Sequence, residues 1–193
     1  PTTDDSAKYD TKDINAKILK IYVDGEFTDS IDYEASKEKQ VGILLNKSPF
    51  YAEQGGQEYD TGKIVIDGKA EFQVENVQVY AGYVLHTGFV EEGSFKVDDA
   101  VIAGYDELRR WPLRNNHTGT HILNFALRQV IGDGVEQKGS LVAPEKLRFD
   151  FSHKKAVELK ELEEVENIVN KTVKENLKVY AQPGELEIAK GIN

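Results

Sequence analysis

The sequence predicts an α+β protein, a small N-terminal β-barrel followed by a partial α+β core of two helices and antiparallel strands. Three observations carry this. Short β-branched or aromatic runs bounded by turn residues recur through roughly the first 110 residues. After Pro112 the apolar spacing becomes helical, and a second amphipathic stretch follows Ser152. A chain of 193 residues is long enough to bury about 70% of its unfolded surface. The expected division is a barrel over 1–110 and an α+β core over 111–193.

Lys17–Val23, Val41–Leu45, Lys63–Ile66 and Val77–Tyr83 read as strands. Asp67-Gly68 is a hairpin signal after the third of these. Gly82, Gly88, Gly93 and Gly104 punctuate the remainder, and several short strands in sequence suggest a closed or partly open barrel. Asn116 is the expected cap of a first helix running to about Ile131, stopped by Gly132. Ile122, Leu123, Phe125, Ala126, Leu127 and Val130 would form its buried side. His117, His121, Asn124 and Arg128 would form a polar stripe. Residues 139–152 read as a strand pair around Ala143-Pro144. Ser152 is expected to start a second helix to about Lys178, with Leu162, Val165, Ile168, Val169, Val173 and Leu177 on one face.

Composition narrows the function. The formal net charge is −10, which argues against a nonspecific nucleic-acid binder. The charge is uneven: residues 1–104 carry 10 basic and 20 acidic groups, 105–155 carry 9 and 6, and 156–193 carry 5 and 8. All the arginines (Arg109, Arg110, Arg114, Arg128 and Arg148) lie in the basic middle segment, and a guanidinium fork suits phosphate. The chain has no Cys, which excludes disulfides, thiolate ligands and a cysteine nucleophile. No apolar run approaches the ~18 residues of a membrane span, and the start, Pro-Thr-Thr-Asp-Asp, is not a targeting peptide. A start at Pro1 and the lack of any Met suggest a segment of something longer.

Three motifs carry candidate chemistry. His117-Thr118-Gly119-Thr120-His121 places two His four apart on a helix, where both rings can reach one zinc ion. Two surface His near a helix start would look the same. A zinc protease would want Glu at position 118, where Thr118 stands. His86 and His153 are the other imidazoles, and their spacing selects neither as a ligand. The run Ser48–Gly62 contains Gly55-Gly56, which permits close approach to backbone, and then Gln57, an uncharged amide that donates and accepts. In Gly139–His153, Leu147, Phe149 and Phe151 alternate with Arg148, Asp150 and Ser152, a strand with one wet face. Ser140 and Arg148 are the ligand-facing candidates there.

Together with His86-Thr87-Gly88 and Arg109-Arg110-Trp111-Pro112, these runs resemble the editing domain of alanyl-tRNA synthetases, over about residues 40–193. The Ala-Glu-Gln-Gly-Gly-Gln form looks most like eukaryotic cytosolic members, which implies a cytoplasmic location. The resemblance implies hydrolysis of Ser or Gly wrongly esterified to alanine tRNA, because an alanine pocket rejects such close analogues poorly. His117 and His121 match the family's first zinc-ligand pair, and Gln57 matches a Gln implicated in editing, the catalytic candidate. Gly55, Gly56, Thr118, Ser140 and Arg148 are the substrate-binding candidates. The family's second pair, Cys-x-x-x-His, falls beyond Gly191-Ile192-Asn193, so the zinc site is expected to be half built and the core incomplete at its C-terminus. Zinc binding and deacylation by this segment alone are expected to be weak. An apolar edge left by missing partner strands would be free to pair with another chain. The ATP and magnesium of alanine ligation belong to an aminoacylation domain outside this chain. Implied partners are the acceptor end of alanine tRNA, met by the Arg-bearing segment, and the other domains of the synthetase. A noncatalytic tRNA-binding barrel and a free-standing deacylase are the alternatives.

Overall fold

The computed structural model describes residues 2–10, 12–180, 184–185 and 187–188. The expected chain end at Gly191-Ile192-Asn193 lies outside them. The strands are β1 (Asp13–Val23), β2 (Glu26–Thr28), β3 (Ser30–Asp32), β4 (Val41–Leu45), β5 (Gly62–Ile66), β6 (Ala70–Tyr80), β7 (Tyr83–Glu92), β8 (Ser94–Lys96) and β9 (Ala100–Tyr105). Then follow helix α1 (Glu107–Ile131), strands β10 (Gln137–Val142) and β11 (Leu147–Phe151), and helix α2 (Leu159–Glu175). The α+β class is as expected.

Six strands pair antiparallel in the order β1-β4-β7-β6-β5-β9, and β9 returns to β1, so the barrel is closed and has no free edge within that ring. The β2 strand extends β1, and β3 pairs with β8 as a separate ribbon. Alternation turns Ile43, Ile64, Phe72 and Val74 inward, a register shift between Ile18 and Lys20 turns both Ile18 and Ile21 inward, and Phe50 and Phe95 complete the barrel core. Asp67-Gly68 makes the expected β5–β6 turn, with Gly68 at φ 63°. The expected strand Val77–Tyr83 is instead the end of β6, a turn at Ala81-Gly82 and the start of β7, with Tyr80 opposite Tyr83. Both turn residues have positive φ, 50° and 81°, and the aromatic run across them hid the reversal.

Helix α1 starts nine residues before the expected cap. Asp106 is the cap, its carboxylate accepting from Leu108 N–H at 2.9 Å. Pro112 lies inside the helix. Its missing N–H would have paired with the carbonyl of Leu108, a residue 87% exposed, so the unpaired acceptor lies on a solvent-facing residue. Asn116 is therefore a mid-helix residue, and its Nδ2 donates to Ala143 O at 2.7 Å. Gly132 stops the helix as expected. Ser152 does not start α2. Its hydroxyl donates to Gly134 O and accepts from Glu136 N–H, each at 3.0 Å, and so ties β11 to the approach to β10. Helix α2 starts instead at a capping box, Glu158 N–H donating to Glu161 at 2.8 Å.

Helices α1 and α2 pack through Leu127, Ala126 and Val165, with Phe149 and Phe151 of the hairpin beneath. Phe125 and Leu162, expected on buried faces, are 52% and 47% exposed. One helix pair and a two-stranded sheet cover only one side of each helix.

Candidate functional site

The segment 54–58 turns at Gly55-Gly56 and meets β10 through an isolated parallel bridge between Gln57 and Val142. Val142 N–H donates to Gly56 O at 2.7 Å and Glu58 N–H donates to Val142 O at 3.0 Å. Gly56 is required here. Its φ is 82°, and a Cβ would stand 2.5 Å from Ser140 Oγ and 2.7 Å from Ser140 O. This close approach brings the buried Gln57 side chain against α1. The His117 Nδ1–H donates to Gln57 Oε1 at 2.6 Å, across 60 residues of sequence. The two motifs expected to share a site therefore touch.

His121 lies one turn further along α1, its ring stacked on that of His117 with centroids 5.3 Å apart. Burial and the neighbouring His121 hold the His117 pKa below its ordinary value, which favours the neutral ring. With Nδ1 donating to Gln57, Nε2 carries the lone pair.

A cleft of about 140 Å³ opens beside this pair, lined by Gly55, Thr120, Asn124, Gln137, Ser140 and Phe149 as well as the two His. Of the substrate-binding candidates Ser140 and Gly55 line the cleft, whereas Gly56 and the catalytic candidate Gln57 are not among its lining residues. Thr118 does not line the cleft; Thr120 does, with its hydroxyl donating to Asn116 O at 2.8 Å and its lone pairs left over. Arg148 also lies elsewhere. It is opposite Leu141 on the strand face away from Ser140 and Phe149, and pairs with Asp150 at 3.1 Å. Thr120 and Asn124 were legible as positions three and seven residues after His117. Gln137 gave no signal: an odd spacing from Ser140 implies opposite faces, but a register shift between Gln137 and Gly139 brings both to the cleft. Asn124 Oδ1 is buried without a hydrogen-bond partner among the described residues.

Two imidazoles one helical turn apart, one of them held neutral, suit zinc as donors. Among the described residues no cluster of three or more His, Cys, Asp or Glu that could hold a metal ion forms.

The Arg-bearing segment is engaged internally. Arg110 donates from Nε to Asp60 Oδ1 at 2.8 Å, from Nη2 to Asp60 Oδ2, from Nη1 to Lys8 O at 2.6 Å and from Nη2 to Pro49 O at 3.1 Å. It lies 3.8 Å from the Tyr105 ring centroid. Arg109 holds Glu58 at 2.9 Å and Tyr59 O at 3.2 Å. Among the described residues no helix is long and apolar enough to cross a membrane.

The family model for tRNA synthetases class II (A) matches residues 1–109. An alanine–tRNA ligase of Candida albicans is 65% identical over 193 residues, covering 100% of this chain and 20% of that protein. A mitochondrial alanine–tRNA ligase of Saccharomyces cerevisiae is 58% identical over 193 residues, 100% of this chain and 19% of that protein. A cytoplasmic alanine–tRNA ligase of Bombyx mori is 43% identical over 208 residues, 100% of this chain and 21% of that protein. The chain spans about a fifth of the length of the relatives it matches.

Proposed function

This chain belongs to the tRNA synthetases class II (A), and on that premise we propose that it is the editing segment of an alanine–tRNA ligase, clearing Ser or Gly wrongly esterified to alanine tRNA. The observation that carries the reading is the bond from His117, which lines a small cleft, to the buried Gln57. At about 140 Å³ the cleft has the volume of a few waters, at ~30 Å³ each. That suits the amino-acid moiety of an ester and is too small for a nucleoside. The hydroxyls of Ser140 and Thr120 line it and offer partners to a serine hydroxyl, which an alanine ester would leave unpaired.

Gln57 favours one ring orientation and tautomer of His117, which leaves Nε2 as the lone-pair nitrogen. That nitrogen serves as a metal donor or as an acceptor for the proton of attacking water. Zinc, when held by His117 and His121 together with donors from elsewhere in the parent ligase, would supply Lewis-acid polarisation. ATP and magnesium serve alanine ligation in another part of that parent. The acceptor end of alanine tRNA is the substrate, and the other synthetase domains are the partners. A cytoplasmic location is supported by the cytoplasmic names of the Dictyostelium discoideum and Bombyx mori relatives, while the Saccharomyces cerevisiae relative is named mitochondrial.

The test uses the parent-length ligase. Gln57→Ala should lower Ser-tRNA deacylation by about 10²–10³-fold, the usual cost of losing one positioned hydrogen-bonding group. Binding of the tRNA, which depends on phosphate contacts, should change little. Equal losses in both assays would assign Gln57 to the fold and remove the reading.

A further inference from the structure

We propose that Arg109 and Arg110 are positioning residues, clamping the 58–60 segment onto the start of α1 and so holding Gln57 in register with His117. Their effect on catalysis rests on the deacylase reading above; the clamp itself does not.

The geometry is that of two parallel rails pinned at both ends. Arg110 and His117 are seven residues apart on α1, which places them on nearly the same face, about 10.5 Å apart along the axis. Their partners, Asp60 and Gln57, are three residues apart in an irregular segment, which spans at most about 10–11 Å when fully extended. The segment runs antiparallel to the helix, so the two pins hold it to α1 at both ends. Asp60 is 0% and Arg110 3% exposed, and Asp60 Oδ2 also accepts from Tyr51 N–H at 2.7 Å. The pin is therefore dry and tied to the barrel as well as to the helix. Arg109 adds a second grip one residue away, on Glu58 and on Tyr59 O.

The neighbouring contacts do a different job. The backbone bonds to Val142 fix the main chain of 56–58 against β10. Asn116 holds α1 to the same hairpin through Ala143 O at 2.7 Å, so the arginine grips share the setting of the helix register with that bond, acting from its N-terminal end. A slip of one helical residue would move His117 by 1.5 Å and turn it by about 100°. A misplacement near 1 Å is enough to cost about 10²-fold in rate. The site also calls for arginine. Its planar fork meets both Asp60 oxygens and two backbone carbonyls while the plane lies over Tyr105, whereas a lysine ammonium is a point charge.

The test reads the tautomer of His117 by ¹⁵N NMR in the metal-free 193-residue chain, where Gln57 holds the proton on Nδ1. His86 is the internal control, since its Nδ1–H donates to Ile43 O inside the barrel at 3.0 Å and reports barrel integrity. In Arg110→Lys the His117 signal should move to a tautomer mixture while His86 stays unchanged. In the parent-length ligase the same variant should lower kcat for Ser-tRNA deacylation by about 10²-fold. An unchanged His117 signal in folded Arg110→Lys overturns the proposal, because the buried pair then serves stability alone. If Arg110→Lys does not fold, Arg109→Lys and Glu58→Gln decide, since that pair is partly open to solvent. Each should give a partial loss of the single tautomer, and an unchanged His117 in both overturns the proposal equally. Failure of the deacylase reading looks different: Gln57→Ala would lower deacylation and tRNA binding equally, or leave deacylation unchanged, while the clamp variants still freed the His117 tautomer.

Discussion

Acid should weaken the barrel through one residue, His86. It is 0% exposed, its Nε2 accepts from Ser48 Oγ–H at 2.8 Å, and its Nδ1–H donates to Ile43 O at 3.0 Å. Both nitrogens are thus used by the neutral ring, with Phe50 edge-on at 5.1 Å. Burial pushes its pKa down from 6.5 to about 4. The folded pKa lies below the unfolded one, so the unfolded chain takes the proton first as pH falls. Stability from this group is complete above about 6.5, is lost between 6.5 and 4, and changes no further below 4. At pH 4.5 the linkage relation gives a loss of about 2–3 kcal/mol relative to pH 7. The assay is urea unfolding followed by far-UV circular dichroism at both pH values, for the parent chain and His86→Leu. The variant starts less stable, because Ser48 and Ile43 O lose a partner, but its loss between the two pH values should be smaller by about 2–3 kcal/mol. Identical pH losses in the two proteins would refute the assignment.

Asp60→Ala should cost about 3–5 kcal/mol in urea unfolding at pH 7, because Arg110 is left buried and unpaired. Gly56→Ala should both destabilise the chain and abolish the single His117 tautomer, since its Cβ meets Ser140. Gly55→Ala, with open space around it but φ 59°, should cost only about 1 kcal/mol and spare the tautomer. Asn124→Leu should leave stability unchanged or raise it by about 1–2 kcal/mol in the same unfolding assay, because it removes an acceptor that has no partner.

What was legible in the sequence was whatever a local rule encodes. The β5–β6 hairpin followed from Asp67-Gly68, the α1 terminus from Gly132, and the β10–β11 pair from strand alternation around Ala143-Pro144. The errors came where a tertiary contact overrode the local rule. Pro112 looked like a boundary, yet the helix passes through it, held upstream by Asp106 and by the buried grip of Arg110. Asn116 and Ser152 looked like caps, and each is used instead to tie the β10–β11 hairpin in place. In the cleft, His117, Thr120, His121 and Asn124 share a helical period, whereas Gln137 depends on a register shift that no residue type announces.

The arginines show the same division more sharply. Their confinement to one basic segment suggested phosphate contacts, a reading that treats charge as a property of the surface. The structure places Arg110 inside, bonded to a carboxylate 50 residues earlier, and commits Arg109 to Glu58. Sequence composition counts charges but does not show which are already neutralised. The net −10 of the chain makes the difference matter, because two of its cations hold the fold together and are withdrawn from the field a polyanion would meet. Electrostatic attraction to tRNA must then come from the remaining surface cations or from other parts of the parent ligase. The salt dependence of tRNA binding should accordingly be indifferent to Arg109→Gln. A clear fall in the slope of log K against log salt, about 0.7–0.9 per lost phosphate contact, would show that Arg109 leaves Glu58 to bind phosphate and that the internal reading of this segment is wrong.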